Sequence, residues 1–196
     1  MGLNKKEESA SYYDECYSNS TAYRLHYSKL PHYAMWKRAM LLVGNKKNIF
    51  EIGCGSGQFG NLATDYGKDY WGFDFSRTAI EIAESLKLSN ATFKVADIRD
   101  WNEFPSFDIY VTFEVLEHIK DDRGALYRIP EGKQVLFSVP NFDYASHIRI
   151  FKNQASILGR YSDLVKINGI YKFNTATEGK WWYLCNGVRI KTIGRV

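Results

Sequence analysis

The stretch that most constrains this chain is Ile49-Phe-Glu-Ile-Gly-Cys-Gly-Ser-Gly-Gln-Phe-Gly60. Its apolar run, Ile49 to Ile52, carries one acid at Glu51 and reads as a buried strand. Three glycines then follow at alternate positions, Gly53, Gly55 and Gly57. Glycine permits a tight turn at positive φ and lets a ligand approach the backbone closely. Gln58 to Tyr66 can continue as a helix whose unpaired N–H groups face back onto the loop. A strand, a glycine loop and a helix in that order make a nucleotide cradle.

Gly55-Ser-Gly57-Gln-Phe-Gly60 fits the dinucleotide fingerprint G-x-G-x-x-G, which is a weak signal alone. Two features point to another nucleotide. Gly53 already ends the strand, so the turn begins two residues early for that fingerprint. Glu51 brings a negative charge that repels a pyrophosphate and suits an ammonium or sulfonium. An NAD-dependent oxidoreductase would need phosphate at Gly55–Gly60 and would tolerate Glu51 badly.

Downstream, the pattern alternates. Tyr70–Asp74, Ala91–Ala96, Phe107–Phe113 and Gln134–Val139 read as strands two to five, with Ser76 capping a helix and a loop with a short helix over Glu114–Ile129. Such alternation demands parallel strands with right-handed crossovers. Phe151–Asp163 reads as helix, and Val165–Phe173 with Trp181–Ile190 as an antiparallel pair closing the sheet edge. The expected fold is an α/β, Rossmann-like three-layer αβα sandwich with a seven-stranded, mostly parallel sheet. Residues 1–196 are expected to form a single domain, with a helical cap or lid at 1–45 ahead of a core at 46–196. Within the cap, residues 1–10 are polar, Pro31 breaks the helical pattern, and Met35, Ala39, Leu42 and Val43 make a stripe that Gly44 stops.

Open parallel sheets bind ligands at the carboxyl ends of their strands. Asp74 stands there after strand two, placed to accept both hydroxyls of a ribose. Asp97 stands there after strand three, able to accept from an exocyclic amine, with Ile98 beside it to sandwich a ring. With Glu51 and the glycines, these residues resemble the motifs of the class I S-adenosylmethionine (SAM)-dependent methyltransferases. Glu51-Ile-Gly-Cys-Gly-Ser-Gly57 is similar to motif I, Gly-Phe-Asp74-Phe-Ser to motif II and Val-Ala-Asp97-Ile to motif III. Phe107 to Ile119 is similar to motif IV and its extension, and Leu136-Phe-Ser-Val-Pro-Asn141 to strand five of the small-molecule branch. The resemblance implies SAM as cofactor and S-adenosylhomocysteine (SAH) as product. It places Glu51, Gly53, Cys54, Gly55 and Gly57 at the methionine end, Asp74 with Phe75 at the ribose, Asp97 and Ile98 at the adenine, and the Phe113 backbone near the amino-acid portion.

Methyl transfer to a hydroxyl or amine needs in-line alignment and a base for the leaving proton. His118 follows strand four, with Glu114 nearby, and is the first candidate for that base. His147 follows strand five and, with Tyr12, Tyr13 and Tyr17, is a candidate for contact with the acceptor. The tyrosines can serve as an aromatic lid or as packing for a cap helix. Glu114-x-x-Glu117-His118 together with His147 also offers four ligands for a divalent cation. That set resembles the E-x-x-E-H…H motif of small-RNA 3′-terminal 2′-O-methyltransferases and some quinone-precursor O-methyltransferases. Metal-free relatives carry the same run, so a divalent ion is not expected. No Asn-Pro-Pro-Tyr or Pro-Cys follows strand four, which sets aside adenine amino-methylation and covalent attack on cytosine.

The expected function is methyl transfer to an O or N atom of a small molecule. A metal-assisted RNA 2′-O-methyltransferase and a non-catalytic SAM-binding protein are the alternatives. The net charge of +4 does not call for a polyanionic partner, although residues 152–196 hold eight Lys or Arg against two Asp or Glu. Nucleic acid is therefore not expected as a partner, nor is a membrane, since no apolar run approaches the length of a span. Cys16, Cys54 and Cys185 have no metal-ligand spacing and fit a reducing, cytoplasmic setting, with a monomer or homodimer as the assembly.

Overall fold

A computed structural model describes residues 5–191. The first four residues of the polar start and the last five of the basic tail lie outside the described residues. Seven strands form one sheet in the order β3-β2-β1-β4-β5-β7-β6. This is the Rossmann-like arrangement of the αβα sandwich, with the strand order reversing next to β1.

The chain divides into two compact units. One comprises residues 8–100 and 107–111. Its first helix, α1 (Ala10–Asn19), starts where Ser9 Oγ accepts from Tyr12 N at 3.3 Å. Helix α2 (Tyr33–Val43) begins just after Pro31 and ends at Gly44, whose φ of 58° only glycine adopts cheaply. Its buried stripe is Met35, Trp36, Ala39, Met40 and Val43, so Met40 rather than Leu42 faces inward. Then follow β1 (Asn48–Ile52), α3 (Gln58–Asp65), β2 (Asp69–Asp74), α4 (Arg77–Ser85), β3 (Ala91–Val95) and β4 (Ile109–Thr112). Strands β2 and β4 flank β1, both parallel to it, and β3 pairs in parallel with β2. Phe50 stacks on Trp71 with ring centroids 4.9 Å apart, anchoring β1 to β2.

Of the described residues, the other unit comprises 5–7, 101–106 and 112–191. It holds α5 (Asp122–Tyr127), β5 (Gln134–Pro140), α6 (Gln154–Tyr161), β6 (Val165–Asn174) and β7 (Trp181–Arg189). Strand β7 runs antiparallel to both β5 and β6 and lies between them. The C-terminal pair is thus the expected hairpin, with its second strand on the inside.

Most element ends fall within a residue or two of the sequence reading, and the larger differences are at β4 and α6. Strand β4 is shorter at both ends than Phe107–Phe113. Before it, the Asp108 carboxylate accepts from the backbone N–H groups of Lys47 and Asn48. After it, Glu114 turns the chain to φ 55°. Helix α6 starts at Gln154, not Phe151, because Asn153 and Ser156 form a reciprocal capping box there.

Candidate active site

The glycine loop and its surroundings lie wholly in the first unit. Gly53, Gly55 and Gly57 have φ of 71°, 52° and 75°, the left-handed region that glycine enters without steric cost. Gly57 also has no room for a side chain, since a Cβ there would lie 2.8 Å from Ala83 Cβ and 2.9 Å from the Phe93 ring. The Gly53 and Cys54 N–H groups both bond Phe73 O at 2.9 Å, which fastens the loop to the end of β2.

Two carboxylates flank the loop. Asp74 Oδ2 accepts from Gly55 N at 3.0 Å and Oδ1 from Ser76 N at 2.9 Å. Burial pushes its carboxyl up to about 6, against the pull of those backbone donors. Glu51 is 3% exposed, and burial pushes it up to about 8. Two buried acids beside a left-handed glycine loop form a place for a cation with hydroxyl groups, not for a phosphate.

Helix α1 lies over this loop. A Cβ on Gly55 would meet Tyr17 Oη at 2.7 Å, so that tyrosine rests on the glycine backbone. The Tyr13 ring packs on Phe75 with centroids 5.3 Å apart, and Tyr12 meets Tyr13 edge-on at 5.3 Å. Asp14 Oδ1 accepts from Ser76 Oγ at 2.6 Å and from Thr78 N at 3.0 Å, tying α1 to the first turn of α4. Gln58 Nε2 donates to the carbonyls of Ala22 and Leu25, fixing the segment after α1 to the start of α3.

Asp97 and Ile98 stand past the end of β3, where Ile98 opens a single 3₁₀ turn. The Asp97 carboxylate is paired with the Arg99 guanidinium, which holds its pKa below the usual carboxylate range. Phe113 is buried at the end of β4.

The second unit gathers Glu114, Glu117, His118 and His147 into one group, with Glu117 and His147 buried and Glu114 and His118 half-buried. Ser138 Oγ accepts from Glu114 N at 2.9 Å and donates to Glu114 Oε1 at 2.7 Å. Those bonds fix Glu114 at a φ that non-glycine residues seldom adopt, a mark often found at working sites. Glu117 is fully buried, and its carboxyl lies against that of Glu114. Burial raises both Glu114 and Glu117, and the charge of Glu114 adds to the rise at Glu117. His118 Nε2 is 3.8 Å from Glu117 Oε1, and the His118 and His147 rings meet edge-on at 4.8 Å. His118 Nδ1 bonds Ser146 O at 3.1 Å and His147 Nδ1 bonds Phe142 O at 3.0 Å. A carbonyl only accepts, so both rings carry their proton on Nδ1 and present Nε2 as an acceptor. Burial lowers His118 to about 4.

The sequence reading missed four supporting residues: Asp14, Tyr70, Ser138 and Arg149. Arg149 donates to the carbonyls of Leu116, Ile119 and Lys120 and so shapes the loop that carries Glu117 and His118. Spacing along the chain gives no sign of such contacts, since Arg149 lies 33 residues from Leu116.

Comparison with known proteins bears on the family and the fold. Residues 28–189 match the family described as methyltransferase domain. A ubiquinone biosynthesis O-methyltransferase of Alkalilimnicola ehrlichii is 26% identical over 112 residues, 52% of this chain and 45% of that protein. The chain spans less than half the length of the curated relatives it matches, such as that enzyme and a putative methyltransferase of Invertebrate iridescent virus 6. Among solved structures, the N-methyltransferase NodS from Bradyrhizobium japonicum WM9, crystallised with SAH, superposes with a TM-score of 0.74 at 18% identity, covering 93% of this chain and 98% of NodS. Among the described residues, no helix is long and apolar enough to cross a membrane. The match over residues 28–189, the strand order and the glycine cradle agree, and the chain belongs to the class I SAM-dependent methyltransferases.

Proposed function

We propose that this chain transfers the methyl group of SAM to an O or N atom of a small-molecule acceptor. The observation that carries this reading is the left-handed glycine loop between two buried carboxylates, Glu51 and Asp74. Glu51 would face the cofactor's ammonium and Asp74 its ribose hydroxyls, with Gly53, Cys54, Gly55, Gly57 and Phe75 forming the wall. Asp97 and Ile98 would take the adenine, and the Phe113 backbone the amino-acid end. Bound SAM supplies an electrophilic methyl group and leaves as SAH. The chain's own part is to orient the acceptor and take its proton. His118 fits that task because its Nε2 is an acceptor and its ring is held by Ser146 O. Glu117, 3.8 Å from that nitrogen, would stabilise the imidazolium only in its ionised form, which its burial disfavours. Glu114 and His147 would line the acceptor's approach beside His118, and the tyrosines Tyr12, Tyr13 and Tyr17 would cover the glycine loop within their own unit. A small acceptor also agrees with the names of the relatives, a ubiquinone biosynthesis O-methyltransferase and an N-methyltransferase.

A specific arrangement favours a second reading, in which a divalent cation assists the transfer. Ligand atoms of Glu117, His118 and His147 all lie within 4.8 Å of one another. Both imidazoles have Nδ1 anchored on a backbone carbonyl, the outer contact typical of metal-bound histidine. Such an ion would polarise an acceptor hydroxyl and lower its pKa.

One experiment addresses both readings. The protein is titrated calorimetrically with SAM, SAH and NAD, and methyl transfer from labelled SAM is then followed over phenolic, catecholic and amine acceptors with and without a chelator. Micromolar binding of SAM and SAH with chelator-resistant transfer supports the first reading. Transfer abolished by chelator and restored by Mg²⁺ or Mn²⁺ supports the second. Binding of NAD alone would refute both. The variant His118→Ala should retain SAH affinity and lose roughly 100-fold or more in turnover, the usual size of an acid–base contribution.

A further inference from the structure

The parallel register of β1 and β2 sets Glu51 opposite Gly72 and Ile49 opposite Tyr70. Side chains two residues apart share a face of the sheet. Gly72 therefore leaves a gap beside Glu51, and the Tyr70 ring leans along its own strand to fill it. A Cβ on Gly72 would lie 2.6 Å from Tyr70 Oη. A second glycine clears the other side, since a Cβ on Gly60, in α3, would lie 2.7 Å from the same ring. Neither Gly60 nor Gly72 has a positive φ, so their absent side chains serve space rather than backbone freedom. Into that space comes a ring only 3% exposed, whose hydroxyl donates to Glu51 Oε2.

We infer that Tyr70 is a positioning residue for the cofactor: its phenol orients the Glu51 carboxylate, so that Glu51 can receive the ammonium of the methionine end. The inference rests on the reading of Glu51 given above. Burial and the nearby Asp74 charge both favour a neutral Glu51. Among the groups that act on Glu51, the Tyr70 hydroxyl is the one that opposes them. Cys54, the other titratable group beside Tyr70, is a buried thiol whose pKa burial raises, so it stays uncharged. The glycine at position 60, which in the sequence completes a dinucleotide fingerprint, here makes room for the tyrosine.

The test uses two ligands that share the nucleoside and differ in the amino-acid end: SAH, and 5′-methylthioadenosine, which lacks the ammonium. Affinities are measured by calorimetry for the wild type, Tyr70→Phe, Gly60→Ala and Glu51→Gln. Tyr70→Phe should weaken SAH about tenfold, the effect of one charge-assisted hydrogen bond, and leave methylthioadenosine within about twofold. Gly60→Ala should show the same selective loss, because its methyl displaces the ring while alanine suits the helix. Equal weakening of both ligands in the two variants would reduce Tyr70 to a packing role and overturn the inference. Selective loss in Glu51→Gln with none in Tyr70→Phe would overturn it while leaving the Glu51 reading intact. No selective loss in Glu51→Gln would instead refute the Glu51 reading itself.

Discussion

At the scale of single residues, the site combines groups whose burial opposes their ionisation. Glu51 is the clearest case, and it implies a conflict between stability and binding. Its folded pKa of about 8 lies well above that of an unfolded glutamate. The folded state therefore binds the proton more tightly, and the group costs stability progressively as pH rises from the unfolded value toward about 8. Glu51→Gln removes that cost and keeps an oxygen to accept from Tyr70. The variant should be more stable than the wild type by roughly 1–3 kcal/mol at pH 7, with the gain vanishing near pH 4. Urea unfolding at the two pH values checks this, and a variant less stable at pH 7 would refute it. Both Glu51 and Asp74 were legible in the sequence because acids at strand ends stand out against apolar runs. Tyr70 was not legible. Inside a strand an aromatic residue reads as core, and only the register shows that it faces Glu51 across a glycine.

At the scale of elements, α1 is the part whose role the sequence left open. Its helix is legible from the tyrosine pattern, which left a lid and a packing helix both open, whereas its Ser9 cap is seen only in the structure. None of its residues is fully buried, and Tyr12, Tyr13 and Tyr17 are only half-buried, so packing alone holds it incompletely. The bonds from Ser76 Oγ and Thr78 N to Asp14 therefore carry much of its attachment, and they use the cap position of α4. These donors hold the Asp14 carboxyl below its ordinary range. Such an element suits a lid that opens for cofactor exchange. Asp14→Ala removes contacts of the kind worth about 1 kcal/mol at a helix start. Amides of α1 should then exchange with deuterium several-fold faster, and SAH should dissociate about fivefold faster with little change in the exchange of β1 and β2. Unchanged exchange in α1 would show that the helix is held by packing instead. Where the sequence placed element ends wrongly, at β4 and α6, the cause was of the same type: a distant side chain or a capping pair closed the element early.

At the scale of the molecule, the mostly parallel sheet and its antiparallel edge pair followed from hydrophobic alternation, since parallel strands joined by helices admit few topologies, while the order of the strands came from the structure. The polar interior of the second unit did not follow, because its partners are 30 to 40 residues apart in the chain. Asp122 is fully buried at the start of α5. It accepts from Arg160 Nε at 2.5 Å and Nη2 at 2.6 Å, and from Tyr161 Oη at 2.6 Å. Arg149 Nη2 approaches it at 3.4 Å while also donating to the loop carbonyls of Leu116 and Ile119. One carboxylate thus joins α5 and α6 to the loop that presents Glu117 and His118. Asp122→Asn leaves the Arg149 charge without a counterion in a poorly solvated place, whereas Arg160, 36% exposed, can turn to water. The cost should accordingly fall near the lower end for a broken buried pair, about 3 kcal/mol, or roughly 6–12 °C in melting temperature for a chain of this size. The glycine cradle makes no use of this network, so SAH affinity measured well below the melt should be unchanged. Turnover should fall, because Arg149 would no longer be held where it shapes the His118 loop. A melt unchanged within about 2 °C would mean that Arg149 and Arg160 are well enough solvated not to need Asp122.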